Sequence, residues 1–219
     1  MLDVLSFAPM RLDRKPAAFD HPDWLFELKY DGFRAIAVVE YGNCTLYSRN
    51  GHQFSAFSDL AIRIGNSLMP RSLTIDGEIV CFDKHGRTEF NELLFHRGTP
   101  HFVAFDLLQL SGRDLRPERL VDRKQELRRI LGTGSPLMFA DHIEASGVEL
   151  FKRACDLDLE GIVAKRKDAP YSPEETTWYK MRNQSYSQWA GRQELFEHER
   201  DQVPAPGWHS CTLAAAEAV

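Results

Sequence analysis

Between residues 24 and 48 the chain lays down three short runs rich in aromatic and β-branched residues: "WLFELK" (24–29), "FRAIAVVE" (33–40) and "NCTLYS" (43–48). Turn chemistry marks the joints between them, at Asp31-Gly32 and Gly42-Asn43. Runs of this kind with turn chemistry between them predict an antiparallel meander. "SLTIDGEIVCFD" (72–83) and "HFVAFDLLQL" (101–110) extend the strand pattern, the first broken by a second Asp-Gly at 76–77. Between them, "FSAFSDLAIRIGNSL" (54–68) has helical apolar spacing.

After residue 110 the period changes. In "PERLVDRKQELRRIL" (117–131), Leu120, Leu127, Ile130 and Leu131 follow helical spacing, and the basic face of 123–129 reads as a solvated helix surface. "GVELFKRACDLD" (147–158) places Val148, Phe151 and Cys155 on one stripe, before the strand-like "EGIVAKR" (160–166) and "TWYKMR" (177–182). The expected fold is α+β, antiparallel sheets with packed helices. Periodicity fades from about residue 184, apart from a short helical pattern at "RQELFEHER" (192–200). Residues 1–183 therefore read as one domain, and 184–219 as a tail, shorter than the ~50 residues an independent domain needs.

Composition excludes several classes. The net charge of −5 gives no general attraction to a phosphate backbone, so any nucleic-acid contact must be a local patch. Four cysteines stand far apart without a CxxC pair, which fits a reducing compartment. The eight histidines show no metal-ligand spacing. No run approaches the ~18 apolar residues of a membrane span, and the start carries no leader pattern, so a cytoplasmic protein is expected.

One residue fits none of this. Lys29 lies inside "FELKYDGFRAI" (26–36), flanked by Leu28 and Tyr30, and a buried ammonium is costly unless paired. It is either an exposed-face lysine or a working one. "KYDGFR" fits K-x-D-G-x-R, and further elements follow in order: "SRNG" (48–51), "DGEIV" (76–80), "FVAFDLL" (102–108), "EGIVAKR" (160–166) and "WYKMR" (178–182). Together these resemble the motifs of the covalent nucleotidyltransferases, which comprise ATP-dependent DNA ligases, RNA ligases and capping guanylyltransferases. The wording is most similar to the bacterial ligase group related to the ligase module of ligase D.

The resemblance implies the nucleotidyltransferase fold shared by DNA ligases and mRNA capping enzymes, ATP-grasp-like, with sheets around a nucleotide cleft. It implies that Lys29 attacks the α-phosphate of ATP to form lysyl-AMP, which passes AMP to a DNA 5′-phosphate for nick sealing. Arg34 would reach the ribose, Phe105 would face the purine, and Glu27 would address its edge. Arg49, Lys165, Lys180 and Arg182 would meet the phosphates. Glu78 and Glu160 would hold Mg²⁺ or Mn²⁺, with Glu78 also facing the ribose.

An ordinary lysine at pH 7 is neutral in only a few parts in ten thousand. The four cations, with bound Mg²⁺, are expected to ease the loss of its proton. Two departures stand out: the closing motif carries Arg182 where the family has a second lysine, and no R-x-D-K element of a following OB-fold appears after it. Weak independent binding to nicked DNA is therefore expected, with a separately encoded OB-fold or DNA-binding partner. RNA ligation, guanylyl transfer, and a non-catalytic nucleotide- or nick-binding module are the alternative readings.

Overall fold

The computed structural model describes residues 8–131, 136–175 and 177–189. The chain divides into two units, Met1–Tyr186 and Ser187–Val219. In the second, a single 3₁₀ turn at Ser187–Trp189 is described. The helical pattern at 192–200 lies outside the described residues.

In chain order the first unit contains β1 (Asp13–Arg14), β2 (Asp20–Leu28), β3 (Phe33–Glu40), β4 (Asn43–Ser48), α1 (Ser58–Leu68) and β5 (Ser72–Val80). There follow α2 (Phe90–Leu94), β6 (His101–Leu110), β7 (Arg113–Asp114), α3 (Leu120–Ile130) and β8 (Leu137–Phe139). The unit ends with β9 (His142–Ser146), α4 (Gly147–Asp156), β10 (Gly161–Arg166) and β11 (Trp178–Arg182). They build two sheets, one in the order β1-β11-β10-β2-β9 and one in the order β4-β3-β5-β6-β7, with β8 beside β6. The α+β architecture matches the expectation.

Side-chain alternation sorts the core into layers. Leu25 and Trp178 from the first sheet meet Ile36, Val80, Val103 and Phe105 from the second, which closes the space between them. Phe26, Ile162, Ala164 and Met181 point the other way and pack with Ala154 of α4. Ala35, Ala37 and Ile75 pack against Leu60 and Ile64 of α1 on the outer face of the second sheet.

Four readings need correction. β2 and β3 do not form a hairpin: β2 pairs with β9 and β10, while β3 pairs with β4 and β5, so the chain changes sheets at residues 29–32. Asp76-Gly77 is not a turn, because β5 runs through it unbroken. Glycine stands there because an added Cβ would lie 2.3 Å from the Phe102 ring and 2.6 Å from the Val103 carbonyl oxygen. In α4, Val148 is exposed, and Leu150, Phe151 and Ala154 make the packed stripe. The basic face of 123–129 is only partly solvated: Arg123 and Lys124 are each 1% exposed. With Leu120 and Leu127 they occupy one helical stripe, so the periodicity that predicts the helix also points these two cations inward.

Candidate active site

Between the sheets lies an open cleft of about 650 Å³, lined by Lys29, Arg34, Arg49, Glu78, Lys180 and Arg182 together with residues 9–13. A narrow slot of about 40 Å³ adjoins it, lined by Glu27, Tyr30, Phe105, Lys165 and Trp178 and sharing Lys29, Arg34 and Glu78 with the cleft. All the residues singled out in the sequence line one or both spaces, except Glu160, which reaches them through Lys29.

Lys29 is positioned where β2 leaves its sheet. Its backbone N–H donates to the Gly161 carbonyl (2.9 Å), and its Nζ donates to Glu160 Oε2 (2.6 Å). Glu160 is 2% exposed. Its place depends on the glycine that follows: Gly161 has φ +137, and a Cβ there would sit 2.1 Å from the Met181 carbonyl oxygen. The ion-pair partner of Lys29 is thus a carboxylate, and the expected cations are divided. Lys180, Arg182 and Arg49 line the open cleft, while Lys165 turns into the slot. Burial, then Arg182 and Lys29, holds the Lys180 ammonium below its ordinary pKa.

Asp76 and Glu78 project from the same face of β5. Asp76 is fully buried and committed. It accepts Arg34 Nε and Nη2, each at 2.6 Å, and the Tyr171 hydroxyl at 2.6 Å. Tyr171 in turn accepts the Met10 N–H (3.1 Å), so residues 9–13 are tied to the cleft wall. Across the sheet, Asp76 faces Asp106, which has its own bidentate arginine, Arg123, at 2.8 Å through both nitrogens. Each buried carboxylate is neutralised separately.

Glu78 is different. It has no ion-pair partner among the described residues, and its carboxyl is pushed up to about 7, first by burial and then, against Lys29 and Arg34, by the Glu160 and Asp76 charges. Two neighbouring carboxylates, one of them unpaired, fit a divalent cation. Among the described residues no group of three or more His, Cys, Asp or Glu could hold a metal alone. Mg²⁺ characteristically uses one or two carboxylates together with substrate phosphates.

The slot reverses this arrangement. Glu27 is 2% exposed but has two cations: Lys124 Nζ at 2.6 Å from Oε1 and Lys165 Nζ at 2.7 Å from Oε2. Burial pushes its carboxyl up, but Lys124 and Lys165 outweigh it, so its pKa lies below the ordinary value. Burial brings Lys165 down to about 8. The contacts are close but poorly directed: among the described residues, Glu27 Oε1 and Lys165 Nζ are buried and lack an aligned hydrogen bond. Lys165 lies 3.9 Å over the Trp178 ring and 4.3 Å over Phe105, whose ring also meets Arg34 at 4.7 Å.

Sequence reasoning missed Lys124, Trp178, Asp76 and Tyr171 as parts of this site. Lys124 was legible from the helical stripe; Trp178 lay inside a quoted motif. Nothing local marks Tyr171, which reaches Asp76 from 95 positions away.

Comparison with known proteins bears on the family and the fold. The family model described as "ATP dependent DNA ligase domain" matches residues 11–182. The chain is 33% identical over 171 residues to a multifunctional non-homologous end joining protein LigD of Pseudomonas aeruginosa, a match spanning 74% of this chain and 20% of that one. To the LigD protein of Mycolicibacterium smegmatis it is 30% identical over 180 residues, 80% of this chain and 24% of that one. The chain thus spans about a fifth to a quarter of the length of these relatives. The solved structure of a mycobacterial DNA ligase D complexed with ATP and MES superposes with a TM-score of 0.75 at 28% identity, covering 83% of this chain and 62% of that one.

Proposed function

The chain belongs to the ATP-dependent DNA ligase domain family, and from that premise we propose that residues 1–183 carry out the adenylylation half of ligation. Lys29 is the nucleophile. Its nitrogen forms a bond to the α-phosphorus of ATP, the bond from that phosphorus to the bridging oxygen breaks, pyrophosphate leaves, and the amine proton passes to a base or to solvent. The observation that carries this reading is the meeting, at one cleft, of Lys29, Glu160, Glu78 and the cations Lys180, Arg182 and Arg49.

The cations of the open cleft suit the triphosphate and the charge that moves to pyrophosphate. Glu78 and Glu160 would hold Mg²⁺ or Mn²⁺, which supplies charge neutralisation at the phosphates when bound. Glu160 also orients Lys29. Arg34, locked on Asp76, presents its remaining edge at the junction of cleft and slot, where the ribose lies. The base enters the slot and lies against the Phe105 ring, with Glu27 accepting the adenine amino group.

The covalent AMP then passes to the 5′-phosphate of nicked DNA, in a cytoplasmic DNA-repair role related to end joining. Because the chain is acidic overall, we assign much of the DNA grip to an OB-fold or other DNA-binding unit, in the same polypeptide or a partner.

The test is covalent labelling. The native chain, incubated with Mg²⁺ and ATP radiolabelled at the α-phosphate, is expected to retain label and gain the mass of one AMP. Lys29→Ala is expected to retain none. Nucleotide binding without covalent retention by the native chain, across pH and with either metal, would overturn the assignment in favour of a binding module.

A further inference from the structure

Lys124 has no part in the reaction as described, yet it is one of the most deeply buried charged groups in the first unit. It comes from α3, outside both sheets, and its side chain is 1% exposed. Three kinds of contact converge on Nζ: the Glu27 carboxylate at 2.6 Å, the Ala140 and Phe105 carbonyl oxygens at 3.0 and 3.4 Å, and the Phe139 ring at 4.5 Å. Two of these partners, Glu27 and Phe105, are the residues that address the edge and the face of the purine. A single ammonium therefore ties both recognition elements to one helix.

We propose that Lys124 is the positioning residue for the purine, holding Glu27 as a hydrogen-bond acceptor and fixing Phe105 beneath it, so that the slot favours an amino-bearing base edge over a carbonyl-bearing one. The inference rests on the adenylylation reading above and adds a specificity role to a residue that never touches the nucleotide.

The chemistry turns on the charge state of Glu27. An ionised carboxylate only accepts, which suits the exocyclic amine of adenine and repels the O6 of guanine. A protonated one can donate to O6, and the preference weakens. The groups facing Glu27 are Lys165 from β10, His142 opposite it on β9, Tyr30 just past β2, and Lys124 itself; Asp106 and Asp141 act on these neighbours. Burial, with the Lys124 charge second, lowers the His142 pKa, so the imidazole is neutral near pH 7 and provides no cation. Lys165 keeps its proton only to about pH 8. Without Lys124, burial is opposed by Lys165 alone, and the Glu27 proton returns at a higher pH. Acceptor character is then lost as the pH falls.

The discriminating quantity is the ratio of ATP to GTP affinity, since the phosphate end contributes alike to both. Equilibrium binding of each nucleotide is measured between about pH 5.5 and 7.5 for the native chain, Lys124→Met and Lys124→Arg. The native ratio is expected to stay level across this range. Lys124→Met should lower it roughly ten- to hundredfold near neutral pH, and further toward acid; Lys124→Arg should restore it.

A folded Lys124→Met protein with the native ratio and a level profile overturns the proposal. Should that variant not fold, a native ratio that itself falls toward pH 5.5 overturns it, because Glu27 is then not held as an acceptor. If the native chain binds neither nucleotide, the adenylylation reading fails first and this inference with it. A native chain that binds ATP leaves the two separable.

Discussion

The two ends of the site solve the same problem in opposite ways. Glu27, in the slot, is buried among apolar residues but flanked by Lys124 and Lys165, and its pKa is lowered despite burial. Glu78, in the open cleft, has more solvent but no ion-pair partner among the described residues, and its pKa is raised to about 7 by burial and then by Glu160 and Asp76, against Lys29 and Arg34. Burial alone does not decide whether a carboxylate keeps its charge. The number and distance of its partners do. The base end thus pairs its carboxylate without a ligand, whereas the phosphate end keeps one carboxylate that a metal can meet, beside cations that a triphosphate can meet.

The same substitution at the two ends should therefore have opposite effects on stability. Glu27→Gln leaves two ammonium groups buried with no counter-charge, a change that typically costs about 3–5 kcal/mol. Lys165 limits the damage by giving up its proton, and since its pKa already stands at about 8, the loss should be smaller at alkaline pH than at neutral pH. Urea unfolding at the two pH values checks both the size and the trend. An unchanged unfolding midpoint would mean that the three charges in the slot are not coupled.

Glu78→Gln should instead stabilise. The native carboxyl holds its proton up to about 7, whereas in the unfolded chain it releases it near 4.5. Between those values the native state binds more protons, so stability from this group falls as the pH rises and the penalty is complete above about 7. A neutral glutamine removes it. A shift of this size is about 3 kcal/mol before solvent screening, and about 1–2 kcal/mol is expected at the partly exposed cleft wall. The gain, read from urea midpoints at alkaline pH, should vanish near pH 4.5, while covalent labelling by ATP falls. A loss of stability would show that Glu78 is already paired.

How much of this contrast was legible beforehand depends on how far apart the partners lie in sequence. The quoted motifs placed Lys29, Glu78, Glu160 and Lys180 in one site, because each carries its own local signature. The strand content and the helices at 58–68 and 120–130 followed from periodicity. The sheet change after Lys29 did not, since an Asp-Gly turn between two strand-like runs reads as a hairpin until the pairing partners, β10 at residue 161 and β5 at residue 72, are known. Asp76-Gly77 was misread for a related reason: the glycine answers a Phe102 ring from another strand, not a local turn. Neutralisation of Glu27 by Lys124 depends on a contact between residues 97 positions apart, visible only once α3 is docked (27 and 124 in the chain).

The basic run "RKQELRR" on α3 separates location from charge type and gives the smallest expected effect. Lys124 faces the slot; Arg129, five residues on, pairs with Glu126 at the surface. An exposed pair one helical turn apart gains little, because water and salt screen it and both side chains lose freedom in holding it. Arg129→Ala should therefore leave the urea midpoint, the ATP labelling and the ATP-to-GTP ratio at native values. If it lowered that ratio as Lys124→Met is expected to, the basic helix would be acting through its overall field, and the contrast between a sealed base end and an open phosphate end would lose its basis. If it leaves the ratio alone, the preference belongs to the single ammonium that α3 directs inward.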